Sequence, residues 1–212
     1  MGDIFREIDE DLRRDRMEDI WKRYGKYIVT GAGVIIVATA GWVAWQEYQQ
    51  RNNVNITAQM HTAMSAVRDG DNDAAIAAFA EVSQNGSNGQ AALALLQEAA
   101  LRANNGDRDN ARVLYRNVLE NDALDAPYHA LATIRLVELD LADGNPADLL
   151  GLLQPLMADG SPWRLTAWEL AAYLERRVGN LDAARAHLQR IMDDGDSSAS
   201  ARARAEAFLA QL

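Results

Sequence analysis

The chain has 212 residues, a formal net charge of −10 and no cysteine. This length is enough for one domain with a sizeable core, and the absence of cysteine excludes a disulfide framework and thiol chemistry. The acidic balance argues against nucleic acid and anionic lipid surfaces as partners.

The first predicted element is a head, residues 1–26, with the apolar stripe of an amphipathic helix. Its acidic and basic residues are mixed, whereas a helix that lies on a membrane surface is typically basic on its polar face. We therefore expect a cytoplasmic docking helix for a partner or a second copy; a solvated helical extension is the alternative. The stripe consists of Ile4, Phe5, Ile8, Leu12, Ile20 and Trp21.

The second predicted element is a transmembrane helix, residues 27–48. Its first twenty residues carry no charge, and a helix of that length spans roughly 30 Å, the thickness of a bilayer's hydrocarbon core. A buried core helix rarely runs this long without a polar face. A cleaved signal peptide ending at Ala38-Thr39-Ala40 is the other alternative, and the long acidic head disfavours it. The expected interfacial anchors are Lys26, Tyr27, Trp42, Trp45 and Tyr48.

The cations around this helix predict its orientation. Six lysine or arginine residues lie within the twenty residues before the uncharged stretch 27–46, and only Arg51 lies within the twenty after it. Cations are retained in the cytoplasm, so we expect a single-pass protein with a cytoplasmic N-terminus. In a Gram-negative bacterium the C-terminal part is then periplasmic. Small residues on one face of the span, such as Thr30, Gly33 and Ala44, would also permit homo-oligomers through the span.

The third predicted element, residues 49–212, is a helical repeat domain. Glycines at four sequence breaks, Gly70, Gly106, Gly144 and Gly179, are spaced by 36, 38 and 35 residues. Each glycine is expected to adopt a positive φ that ends one helix, and the Asp or Asn after it to begin the next. Three apolar positions recur at fixed offsets from the glycines. Offset five has Ala75, Ala111, Leu149 and Ala184; offset nine has Phe79, Tyr115, Leu153 and Leu188; offset twelve has Val82, Val118, Leu156 and Ile191.

A period near 35 residues with this content predicts stacked helical hairpins. The fold class is therefore all-α: one N-terminal transmembrane helix, then an α-solenoid of about four hairpins and a C-terminal capping helix. The predicted pairs are 54–69 with 71–84, 89–105 with 107–121, 125–143 with 146–158, and 161–178 with 181–193, and the predicted cap is 198–211.

At these positions the chain resembles the tetratricopeptide repeat. The fourth hairpin carries the resemblance best, through Trp168, Ala171, Ala172, Gly179, Ala184 and Leu188. The whole layout resembles a narrower family, the bacterial membrane-anchored periplasmic repeat proteins known as the ancillary subunit of the SecYEG translocon. The residues that carry this second resemblance are Trp21-Lys22-Arg23-Tyr24-Gly25-Lys26 and Trp42-Val43-Ala44-Trp45-Gln46-Glu47-Tyr48.

These resemblances imply protein partners, namely the Sec translocon, periplasmic chaperones or exported chains. They also imply a partner-binding groove lined by the first helix of each hairpin. Its residues, placed by their offsets from each glycine, are Thr57, Met60, Met64, Leu93, Leu96, Glu138, Tyr173, Arg176 and Arg177. The alternative for the Met and Leu residues is interhelix core.

No residue set in the sequence indicates a reaction, a cofactor or a metal. The three histidines, His61, His129 and His187, lie on three different predicted hairpins, and no catalytic motif is present. We therefore expect a non-enzymatic scaffold at the outer face of the inner membrane. The alternatives are an accessory subunit of another membrane complex, respiratory or envelope-building, and a membrane-tethered enzyme that would need a cluster of titratable groups.

Overall fold

The computed structural model describes the backbone of residues 3–212 and the side chains of residues 22–212 except 28, 49 and 51–53. All regular secondary structure in this part is helical, as predicted. The helices are α1 (Asp3–Asp69), α2 (Asn72–Asn85), α3 (Asn88–Asn104), α4 (Arg108–Leu119), α5 (Ala126–Asp140), α6 (Pro146–Leu153), α7 (Arg164–Arg177), α8 (Leu181–Asp193) and α9 (Ala199–Leu209), with a 3-10 helix, Gln154–Met157, after α6.

The chain divides into two compact units, Met1–Val54 and Asn55–Leu212, and α1 contributes residues to both. The second unit contains the predicted hairpins. The C-terminal part of α1 pairs with α2, α3 with α4, α5 with α6, and α7 with α8. The stripe predicted for the head falls on residues 4–21, whose side chains lie outside the described part.

Three of the four repeat glycines end their helices as predicted. Gly70, Gly106 and Gly179 have φ values of 78°, 85° and 80°. The residue after each glycine donates its backbone N–H to the carbonyl oxygen five residues earlier, at 2.8–2.9 Å. These are Schellman turns, in which the left-handed residue satisfies the last carbonyls of the helix.

The prediction of a positive φ for Gly144 is wrong, because this turn closes differently. Gly144 is absent from the glycines with positive φ, and its N–H bonds to the carbonyl oxygen of Asp140 at 2.8 Å. A Cβ at this position would lie 2.8 Å from that same oxygen and 3.1 Å from Leu149 Cδ1. A glycine is needed here because of the close approach of its neighbours.

The recurring apolar positions form the core. Every residue at offsets five, nine and twelve from the glycines is buried except Leu156, which is half-buried. The exception follows from Pro155, which has no N–H to continue the helix and whose ring would clash with an earlier carbonyl. The helix predicted over 146–158 therefore ends at Leu153 and continues as a 3-10 turn.

The core consists of four clusters, each joining one hairpin to the first helix of the next. The first joins α1 and α2 to α3, the second α3 and α4 to α5, and the third α5 and α6 to α7. The last joins α7 and α8 to α9. This is the nearest-neighbour stacking of a solenoid. Helix α9 takes the place that the first helix of a further hairpin would occupy, and so covers the end of the stack.

Candidate partner-binding surface

The face predicted to bind partners is formed by the first helices of the hairpins: α1 from residue 55, α3, α5 and α7. The structure places eight of the nine predicted residues on or near the surface. Leu96 is the exception, because it is only 5% exposed. It packs in one stripe with Ala92 and Ala99, so Leu96 is core and its assignment to the groove is corrected. The spacing of these three residues, four and then three, was a usable sequence signal for this burial.

The apolar part of this face lies on α1 and α3. Met64 and Leu93 are 42% and 38% exposed, and Thr57 is also exposed. Met60 is half-buried and packs against the core cluster formed by α1, α2 and α3. Exposed methionine and leucine side chains suit apolar partners of varied shape, because the thioether chain is unbranched and adapts.

The part of the face that α5 contributes carries an ion pair with no net charge. Glu138 accepts a hydrogen bond from the guanidinium of Arg135 at 2.9 Å, one helical turn away. Both charges act on the phenol of Tyr115, a buried residue of α4. Burial raises the pKa of Tyr115, and the nearby Arg135 partly opposes that shift. Glu138 is therefore occupied within its own helix.

The far end of the face is an aromatic and cationic cluster. The rings of Tyr173 on α7 and Phe208 on α9 stack with centroids 4.3 Å apart. The guanidinium of Arg176 lies 5.0 Å from the Phe208 centroid and 5.9 Å from that of Tyr173. Arg204 of α9 also binds Glu169 of α7 through two hydrogen bonds of 3.0 and 2.9 Å. The amphipathic pattern of α9 predicted a cap, but not which side chains it would contact.

Arg177 has a structural role that the sequence did not predict. Its guanidinium donates to the backbone oxygens of Leu141, at 2.5 Å, and Gly144. It therefore fastens the end of α7 to the turn between α5 and α6. Arg176, one position earlier, makes no ion pair within the described part and stays available to an acidic group.

Further arginines fasten the same turn from the other side. Arg108 at the start of α4 donates to Leu139 O and to the carboxylate of Asp143, the latter at 2.7 Å. Arg112 holds the buried carboxylate of Asp140 with three hydrogen bonds of 2.7–3.2 Å. The hydrogen bonds to Asp140 raise the pKa of Arg112 above its ordinary value. These groups fix the stack rather than offering a site.

Two carboxylates of the acidic run at residues 193–196 form ion pairs with an arginine. Arg164 of α7 donates to Asp194 at 2.6 and 2.8 Å and to Asp196 at 2.6 Å. The bonds from Arg164 hold the pKa of Asp194 below its usual range. Among the residues that the structure describes, no group of three or more histidine, aspartate or glutamate side chains lies close enough together to hold a metal ion.

One described segment, Lys22–Tyr48, is long and apolar enough to cross a membrane. None of the described residues in its most apolar stretch of 18 is buried. Membrane spans and signal sequences share these properties. The rings of Tyr27, Trp42, Trp45 and Tyr48 are 63–71% exposed. The ammonium of Lys26 lies 5.0 Å from the Tyr27 ring centroid.

Comparison with known proteins supports the repeat architecture. A family model described as a tetratricopeptide repeat-like domain matches residues 19–209. No curated protein matches the chain. Among solved structures, the chain is similar to a tetratricopeptide repeat protein from Parabacteroides merdae, with 16% sequence identity and a TM-score of 0.60. The similarity covers 73% of this chain and 58% of that one, and at this identity it shows the fold alone.

Proposed function

Because the chain belongs to the tetratricopeptide repeat-like domain family, we propose that it is a non-enzymatic scaffold, anchored in the bacterial inner membrane, whose repeat domain binds protein partners. One observation carries the proposal. The first helices carry exposed Met64 and Leu93, and the guanidinium of Arg176 on α7 lies on an aromatic pair and has no carboxylate partner in the described part. Repeat stacks bind partners through the face of their first helices.

The membrane anchor is supported by the chemistry of the apolar segment. The large apolar side chains of 29–45 are mostly more than half exposed, which water penalises and lipid favours. The hydroxyls of Thr30 and Thr39 donate to the carbonyl oxygens of Lys26 and Ile35, each at 2.7 Å. Polar groups inside a bilayer need such internal partners. The cation bias before residue 27 favours a cytoplasmic head and a periplasmic repeat domain.

The orientation is tested with single cysteines, because the native chain has none. We expect a membrane-impermeant maleimide to label an Ala210→Cys variant in cells whose outer membrane has been permeabilised. An Asp3→Cys variant should be labelled only after the inner membrane is also broken. Labelling of Asp3→Cys from outside, or recovery of a chain that has lost its head, would contradict the anchored topology.

The partner is tested by site-specific photocrosslinking in membranes of the native host. A crosslinking amino acid replaces Met64 or Leu93 on the first-helix face, and Ala186, exposed on α8, serves as the control position. We expect Sec translocon or periplasmic chaperone subunits to be recovered from the first two positions and not from the control. Subunits of a respiratory or envelope complex would support the alternative of an accessory subunit. Crosslinks that do not depend on position would refute binding through this face.

A further inference from the structure

The repeat domain has a second concave surface, which contains none of the residues predicted for the first-helix face. It is a groove of about 560 Å³ between the second helices α4 and α6, with the inner side chains of α5 as its floor. Its apolar lining includes Leu119 of α4 and Leu149 and Leu152 of α6. Leu152 is 37% exposed, which places an apolar surface in contact with solvent in the groove.

The groove stays open because of two features of the third hairpin. Pro155 ends α6 at Leu153, so the helix that forms one wall has only eight residues. Gly151 lies on the same wall, and a Cβ added to it would meet no atom within 4 Å. The wall beside Leu152 is therefore bare backbone with room for an incoming side chain.

The charges around the groove favour a cationic occupant. Glu120, directly after α4, and Asp148 on α6 are exposed, and neither carboxylate has a hydrogen bond or an ion pair within the described residues. Asp140, deeper in the groove, is neutralised by Arg112 at 2.7 Å. Arg116 is the cation in the lining. Two unpaired carboxylates against one guanidinium leave the rim negative, on a domain that is itself acidic.

We propose that this groove is a second protein-docking site. Its occupant is a segment of a partner protein that packs a large apolar side chain onto Leu119 and Leu152 and places a neighbouring lysine or arginine against Glu120 and Asp148. An apolar anchor with a charged rim is the usual anatomy of a small protein interface. The site is separate from the first-helix face, so the protein can hold two partners at once.

The experiment uses full-length protein in lipid nanodiscs as the target for a phage-displayed library of random short peptides. Recovered peptides are synthesised with a fluorescent label and titrated against four variants by anisotropy. Leu152→Ser and Glu120→Lys alter the groove. Leu181→Ser and Glu81→Lys are their controls, since Leu181 on α8 is 36% exposed, like Leu152, and Glu81 on α2 is an exposed glutamate away from the groove. Circular dichroism establishes that each variant is folded.

We expect recovered peptides to combine a leucine, isoleucine or phenylalanine with an adjacent lysine or arginine. Leu152→Ser and Glu120→Lys should each weaken binding about tenfold, and the two controls less than about twofold. Glu120→Lys gives a second independent result if Leu152→Ser misfolds, because a cation is well tolerated at the end of α4.

Four results would overturn the proposal. The first is equal affinity for all four variants, and the second is recovery of acidic peptides. The third is that no recovered peptide binds the Leu152→Ser variant more weakly than the native protein. The fourth is a dimer of the full chain that Leu152→Ser dissociates, which would place a second copy in the groove.

Discussion

At the turn of hairpin α7–α8, Gly179 has a φ of 80° and the residue five positions on is the buried Ala184. At the turn of α5–α6, Gly144 lacks a positive φ, the corresponding residue is Leu149, and the second helix ends after eight residues. Hairpin α7–α8 follows the repeat pattern closely, and its turn closes through backbone hydrogen bonds of its own. Hairpin α5–α6 departs from the pattern, and its turn is held by arginines from both neighbouring hairpins.

This difference shows how a solenoid tolerates a degenerate repeat. Arg108 and Arg112 reach the end of α5 from α4, and Arg177 reaches the same turn from α7. The turn of α7–α8 has a simpler polar contact, the bond of 2.8 Å from Asn180 to Glu175 within the same hairpin. Where the local pattern is weak, contacts from adjacent repeats supply the missing stability, as nearest-neighbour coupling allows.

The largest expected effect comes from removing the buried carboxylate of the irregular hairpin. Asp140→Ala deprives Arg112 of three hydrogen bonds, and we expect a loss of about 3 kcal/mol in the free energy of unfolding. Urea unfolding of the full chain in detergent, followed by circular dichroism, measures it. The matched control is Asp182→Ala on α8, whose pair with Arg185 is exposed and should cost less than about 0.5 kcal/mol. Equal losses for the two variants would contradict the difference between the hairpins.

The two turn glycines should respond oppositely to the same pair of substitutions. At Gly179 the surroundings are open and only the positive φ matters, so Ala costs about 1 kcal/mol and Asn, which tolerates that conformation, costs less. At Gly144 the constraint is steric, so Ala costs about 2 kcal/mol and the larger Asn costs at least as much. The same unfolding measurement tests this ranking. A gain from Ala to Asn at both positions would show that both turns need a left-handed residue.

Neighbouring arginines on α7 should have separable effects. Arg177→Ala removes the bonds to Leu141 O and Gly144 O, and we expect a loss of about 1 kcal/mol with faster amide hydrogen exchange at residues 141–149. Arg176→Ala removes only the contact with the Tyr173–Phe208 pair, and should cost about 0.5 kcal/mol without affecting that turn. Faster exchange at 141–149 in Arg176→Ala as well would mean that α7 as a whole, and not Arg177, supports the turn.

The smallest effect is a pH dependence located in the regular hairpin. Burial, and then the charge of Arg190, lowers the pKa of His187 on α8 below its ordinary value near 6.5, although Glu175 partly opposes this shift. The unfolded chain therefore binds more protons than the folded chain below about pH 6.5, and stability falls as the pH falls through that window. We expect His187→Gln to reduce this slope between about pH 5 and pH 7. An unchanged slope in the variant would assign the effect to other groups.

Much of the repeat domain could be predicted because the residues that determine each helix and turn lie close together in the sequence. A left-handed glycine, an Asp or Asn after it and apolar residues at helical spacing act within one hairpin, and they placed the helices to within a few residues except at Pro155. The partner-binding face of the first helices was harder to predict. Family offsets assigned both Leu93 and Leu96 to the partner-binding face, but Leu93 is exposed, whereas Leu96 packs with Ala92 and Ala99 in a buried stripe.

The sequence by itself determined the all-helical hairpin architecture, the turn positions and the single long apolar segment. Each of these depends on the residues of one helix or one turn. Only the tertiary structure decided that Gly144 is confined by close packing, that Arg177 binds the turn of the preceding hairpin, and that a groove lies open between α4 and α6. Those outcomes depend on contacts between residues that are about a full repeat apart in the sequence. The pattern within one helix or one turn does not specify which of these residues meet.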